Sequence, residues 1–242
     1  MQTAQKIQTL NIDPALNLFL EEWDRQYDFK ASRIPLFDTV QTAQWTLEQQ
    51  RHFVRILYHQ RAHFDDVLWY MANFAPDAES KEMILENMRD EFGRNGRSHE
   101  KLYLDFAKSL GVNLVYELIE EKFYLPFLRD YNSGHLRWLR EHEWDCRLAA
   151  FAALERLDNI DYTNLKKIVE SFGSQKIDMV FFNVHIYVQH YESVENCRFK
   201  ELWDVQPELV KNAFNFIGEY QLKIWEQISN TVFNYTEEKS AA

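Results

Sequence analysis

Three stretches of this sequence carry side chains that bind metals, at spacings able to bring them to one centre. The first, NMRDEFGRNGRSHEKLY, holds Glu91 and His99 on either side of Gly93 and Gly96. Glu91 ends one helical pattern and His99 begins the next. Glycines reach backbone conformations closed to other residues, so the chain can kink and turn both side chains inward. The second, CRLAAFAALERLDNIDY, sets Glu155 four residues after Phe151 and seven after Leu148, on the apolar face of a helix. A carboxylate in that place needs a partner or a metal. The third, FFNVHIYVQHYESVE, puts His185, Gln189 and Glu192 on one helical face, while His190 points elsewhere. Phe181, Phe182, Val184, Tyr187, Val188 and Tyr191 surround that polar row.

Together these stretches offer three carboxylates, two imidazoles and an amide. That donor set suits iron, manganese or zinc and gives no sulfur site. Each stretch also has a plainer reading. His185 can be a core histidine bonded to a carboxylate, Glu91 and His99 can be solvated helix residues, and Glu155 can end in a salt bridge. Phe182, Tyr187, Tyr191 and Trp144 are candidates for the walls of a pocket, or plain core.

Helices must position these groups. Only 6 glycines and 5 prolines interrupt 242 residues, and each costs a helix interior about 1 (Gly) to 3 (Pro) kcal/mol. Asp13-Pro14 reads as an N-cap followed by the first helical residue. Thr46 and Gln49 form a capping box that opens a long helix with Phe53, Leu57, Phe64, Leu68 and Met71 on one face. Pro76 ends it, and another helix runs to the glycines. Ser98 caps the next, which stops at Gly111. Further helices are expected at about 112–130 and 135–158, separated by YNSG, then at about 162–172, 175–198 and 207–235. No alternating strand pattern occurs. The expectation is an all-α bundle of seven to nine helices, one domain over 1–242 with its core at about 13–235, its site built from facing side chains.

Composition narrows the function. The net charge of −11 disfavours nucleic acid and anionic membrane surfaces as partners. The sequence has no run long and apolar enough for a membrane span. A polar start, QTAQKIQT, and two distant cysteines, Cys146 and Cys197, point to a reduced, cytoplasmic setting.

The order Glu91, His99, Glu155, His185 with Gln189 and Glu192 resembles the haem-oxygenase-like dimetal oxidases. The branch around the chlamydial protein that associates with death domains is most similar, and the PQQ-synthesis oxidase and TenA folds are relatives. The local texts MRDEFGRNGRSHEKLY, AAFAALERLDNIDY and FFNVHIYVQHYESVE carry the resemblance, which spans about residues 50 to 230. In that family one helix region gives a glutamate and a histidine, a later helix gives a second glutamate, and a final helix gives His-x3-Asp-x2-His. The resemblance implies a homodimer that uses iron, one or two ions, or manganese, with dioxygen, to oxidise a small organic molecule. This chain departs from the pattern in the last motif. Gln189 stands for the aspartate and Glu192 for the second histidine, which leaves open a variant site, a single metal or none.

Other chemistries are weaker. His59 and His63 have zinc spacing, but no Glu lies three residues before any histidine, so the paired ExxH of ferritin-type bundles is absent. Haem would need His52, His59 or His63. A TenA-like hydrolase would need Cys146 as nucleophile. A metal-free helical binding protein would pair Glu91, Glu155, His185 and Glu192 with one another or with Arg94, Arg97 and Arg147. GxSxG, P-loop and GxGxxG motifs do not occur.

Overall fold

A computed structural model of the chain describes residues 13–94, 96–173, 176–187 and 197–236, apart from the side chains of Leu118, Tyr187 and Cys197. The described residues are helical throughout, with no strand among them. Helix α1 (Pro14–Ala31) starts where expected: Asp13 Oδ1 accepts the Ala15 N–H at 2.6 Å, and Pro14 occupies the first turn. A 3-10 turn (Pro35–Phe37) and the single-turn α2 (Thr39–Thr42) lead to α3 (Leu47–Ala62). The Thr46–Gln49 capping box forms in both directions. Then come α4 (Phe64–Asn73), α5 (Ala78–Glu91), α6 (His99–Ser109), the single-turn α7 (Glu117–Glu120), α8 (Pro126–Glu141), α9 (Trp144–Glu170), α10 (Val180–Tyr187), α11 (Cys197–Val205) and α12 (Pro207–Phe233).

Four boundaries differ from the sequence reading. The long helix after Thr46 breaks at His63, which ends α3 and precedes α4. The helix expected at 112–130 is a single turn and a restart. Glu121 adopts a left-handed φ of 46° that closes α7, and Pro126 opens α8. YNSG does not separate two helices; it lies within α8. Its glycine is there for packing: a Cβ on Gly134 would sit 1.9 Å from the Tyr220 hydroxyl. The separation falls instead at 142–143, and α9 then runs unbroken for 27 residues, through the expected gap before 162. The helix expected at 175–198 is described as α10 and the start of α11, with 188–196 outside the described residues.

The frame is two 27-residue helices, α9 and α12, each roughly 40 Å long at 1.5 Å per residue. They pack along each other, and α9 also carries α10 and α1. Ala149, Ala150, Ala152 and Ala153 are all buried on α9, and these small residues admit the apolar faces of α1, α11 and α12 at short range. The other side of α9, with α3, α6 and α10, builds a second cluster around Phe53, Phe106, Leu165 and Phe182. Among the described residues no helix is long and apolar enough to cross a membrane.

Candidate metal centre

The turn between α5 and α6 makes the first half of the site. Gly93 has φ +78°, and a Cβ there would lie 2.5 Å from the Arg97 carbonyl carbon, so the turn is closed to any other residue without rearrangement. Ser98 caps α6 by accepting the Lys101 N–H at 3.2 Å. As a result Glu91, the last residue of α5, meets His99, the first of α6. Glu91 Oε2 lies 2.9 Å from His99 Nδ1.

The second half is α10. His185 is buried, and its Nδ1 lies 2.8 Å from the Phe181 carbonyl oxygen one turn earlier. A carbonyl only accepts, so Nδ1 carries the proton and Nε2 carries the lone pair that a metal needs. The imidazole stacks on Tyr162 of α9 at 3.9 Å and meets His99 at 4.3 Å. One ligand atom each from Glu91, His99 and His185 falls within 4.8 Å of the others. Two imidazoles and a carboxylate with an open side are the facial set found around non-haem iron(II). The donor chemistry therefore fits the metal expected from the sequence.

These three residues border a cavity of about 170 Å³. Tyr58, Phe64, Tyr103 and Phe181 give it aromatic walls; Asp65, Glu100 and Asp158 add carboxylates. Of the aromatics proposed from sequence, Phe182 and Trp144 belong to the core, and the neighbouring Phe181 takes the wall. Tyr191 and the Tyr187 side chain lie outside what is described. The cavity's cation, Arg61, is committed: it donates to Asp158 at 2.5 Å and to the Tyr162 hydroxyl at 3.0 Å, and it lies over the Tyr162 ring.

Glu155 lies on α9 with 2% of its surface exposed. It is outside the group of three whose ligand atoms converge, yet its acidity responds to Glu91. Burial pushes its pKa well up, and the charges on Asp158 and Glu91 add to this, partly offset by Arg61. Gln189 and Glu192 lie outside the described residues. For His99, burial alone would depress the pKa; the hydrogen bond and charge of Glu91, with Asp90 and Asp158, outweigh it and raise the value. Burial lifts Asp65 to about 6, with Glu91 and Glu100 contributing. Acids and imidazoles thus crowd one low-dielectric space, as at a centre that binds cations.

Sequence reasoning missed Arg61, Asp65, Asp158 and Tyr162. A signal existed on α9: Glu155, Asp158 and Tyr162 follow at i, i+3 and i+7, one face of the helix. The other candidates fall elsewhere. His59 pairs with Glu117 at 2.9 Å and His63 with Asp66 at 2.9 Å, and both rings stack on Tyr124, so their zinc-like spacing serves packing. His52 stacks on Tyr235 at 4.1 Å. None of these three histidines lines the cavity bordered by Glu91, His99 and His185, and neither does Cys146. Burial, with Asp145 and Glu143, raises the Cys146 pKa, the reverse of what a thiolate nucleophile needs. Arg94, Arg97 and Arg147 are occupied away from the centre, with Glu86 and Asp90, with Asp105, and with the Leu139 carbonyl.

Two crystal structures share this fold, at 2.00 and 1.35 Å resolution, both of a CADD-like protein of unknown function from Nostoc punctiforme PCC 73102. The TM-scores are 0.63 and 0.61 at 18% identity, over 89% of this chain and 99% and 96% of those chains. The fold is thus all-α, haem-oxygenase-like and CADD-like. No curated protein matches the sequence. Residues 51–194, which include Glu91, His99, Glu155, His185, Gln189 and Glu192, match the family described as iron-containing redox enzymes, and the chain belongs to that family.

Proposed function

We propose that this chain is an iron-dependent oxidoreductase that uses dioxygen on a small organic molecule bound in the 170 Å³ cavity. The observation that carries the reading is the convergence of Glu91, His99 and His185 at the cavity wall. In this reading they hold iron, with Glu155, Gln189 and Glu192 completing the set for one ion or two. Bound iron supplies the electrons and the Lewis acidity for dioxygen chemistry.

The chain's own residues do the rest. The Phe181 carbonyl fixes the tautomer of His185, and Tyr162 fixes the plane of its ring. His99 and Glu91 hold a proton between them where the cation is to sit, so metal uptake releases that proton. Burial favours the neutral form of Glu155, and a cation that offsets the burial would favour its charged, metal-binding form. Tyr58, Phe64, Tyr103 and Phe181 give the reacting space its aromatic surface. A homodimer is part of the proposal on the resemblance alone.

One contact fits a metal-free binding protein equally: Glu91 pairs with His99, as that reading requires. Elemental analysis separates the two. Protein purified without chelator, then loaded anaerobically with ferrous ion, is expected to hold one or two irons per chain and to consume dioxygen. No iron after loading would overturn the redox reading and favour the metal-free one.

A further inference from the structure

A second, smaller cavity lies on the other side of the Arg61–Asp158 pair. Its volume is about 30 Å³, and Arg61, Phe64 and Asp158 line both spaces. A water molecule needs about 10–15 Å³ by this measure, so the chamber has room for one or two. Two of its lining atoms want a partner that the protein does not give. Gln60 Oε1 and His135 Nε2 are buried with no hydrogen bond, on side chains only 5% and 7% exposed. A buried polar atom left unsatisfied is costly, and water is the common remedy. Phe64, Val67, Leu154 and Leu157 form the apolar part of the lining, and further polar groups complete it. Tyr131 donates to Gln221 Oε1, and Gln221 donates to Asp161 at 2.9 Å. At one end stands His63, whose side chain is 27% exposed and paired with Asp66 at the surface.

We propose that this chamber between α3, α8, α9 and α12 is a built water site that passes protons from the surface at His63 to the metal cavity, with the Arg61–Asp158 pair as the shared wall. The need is chemical and rests on the redox reading above: inserting one oxygen atom of dioxygen into a C–H bond, with two electrons from an external electron-carrier protein, takes up two protons (RH + O2 + 2 e− + 2 H+ gives ROH + H2O). The metal cavity meets solvent beside the exposed Glu100, and the chamber adds a second, fixed path for protons that ends at the Arg61–Asp158 wall. His135 suits a relay of this kind. Its ring is neutral at working pH, with one nitrogen to donate and one to accept.

The test has two readouts. A crystal structure of the iron-loaded protein should show one or two ordered waters bonded to Gln60 Oε1 and His135 Nε2. The variants Gln60→Leu and His135→Leu should each keep the wild-type iron stoichiometry, consume dioxygen about fivefold more slowly, and show a larger solvent deuterium isotope effect. A dry chamber overturns the site. Wild-type rates and isotope effects in both folded variants overturn the proton role. If the iron-loaded wild type consumes no dioxygen, the redox reading falls and the proton role with it, and the crystal structure still decides the water site.

Discussion

Two buried clusters share helix α9 and solve opposite problems. Asp161 is fully enclosed, and fixed donors occupy both its oxygens: the Tyr27 hydroxyl at 2.8 Å, the Gln221 amide at 2.9 Å and the Trp225 indole at 3.1 Å. One turn earlier, Asp158 lines the cavity that Glu91, His99 and His185 border, and the buried Glu155 feels the Glu91 charge. The first cluster closes upon itself. In the second, burial and then the charges of Asp158 and Glu91 raise the Glu155 pKa, with Arg61 as the lining cation, and the proposed cation site rests on that arrangement. Burial of acids alone therefore does not mark function; the balance of donors against acceptors does.

The comparison is broken most directly at His185. His185→Ala should weaken iron binding by more than about 100-fold, since removing even a supporting residue costs about 10–100-fold. Titration with ferrous ion followed by elemental analysis measures it, and unchanged affinity would remove His185 from the site. At the other cluster, Asp161→Asn should leave iron content intact and lower unfolding free energy by about 2–3 kcal/mol. The new amide would set an N–H against the Gln221 and Trp225 donors. Denaturant unfolding reads this loss, and an iron loss of similar size would erase the distinction drawn here.

Between the clusters, His135 gives a pH signature. Burial holds its pKa at about 4, below the ordinary 6.5. The unfolded chain binds the proton first, so the stability linked to neutral His135 is present above pH 6.5 and lost as pH falls towards 4. Lowering the pH from 7 to 4 should cost wild type about 3 kcal/mol more stability than it costs His135→Leu, measured by denaturant unfolding at each pH. Equal losses would show that the imidazole titrates normally. The smallest effect sharpens the boundary of the metal centre. Glu155→Gln should keep the metal-free protein as stable as wild type and weaken iron by about tenfold if Glu155 is a ligand. Equal iron affinity would confine the centre to Glu91, His99 and His185.

Much of this was legible before the fold was known, and the reasons are local. Asp13, Thr46, Ser98 and Gly111 announce helix ends through side-chain or backbone chemistry that acts within four residues. The pairing of Glu91 with His99 followed from two glycines between two helical patterns. What stayed hidden depended on distant partners. YNSG looks like a break because Gly134 weakens a helix, yet it is there to admit Tyr220 from α12. Arg61 and Asp158 are 97 residues apart, and nothing in either segment names the other. The water chamber is defined by what is missing around Gln60 and His135, which no pattern of residues reveals.

The turn at Gly93 also has a consequence for the order of assembly. Glu91 and His99 are eight positions apart, whereas His185 lies 86 positions beyond His99. A loop of roughly ten residues closes in about 10–100 ns. The carboxylate–imidazole pair can therefore meet as soon as α5 and α6 form, while the third ligand waits for α10 to dock on α9. Long loops cost more to close and are reached later. On the proposed ligand set, a nascent chain would present a two-point, weak and reversible cation grip first, and only the finished bundle would turn it into a three-point one.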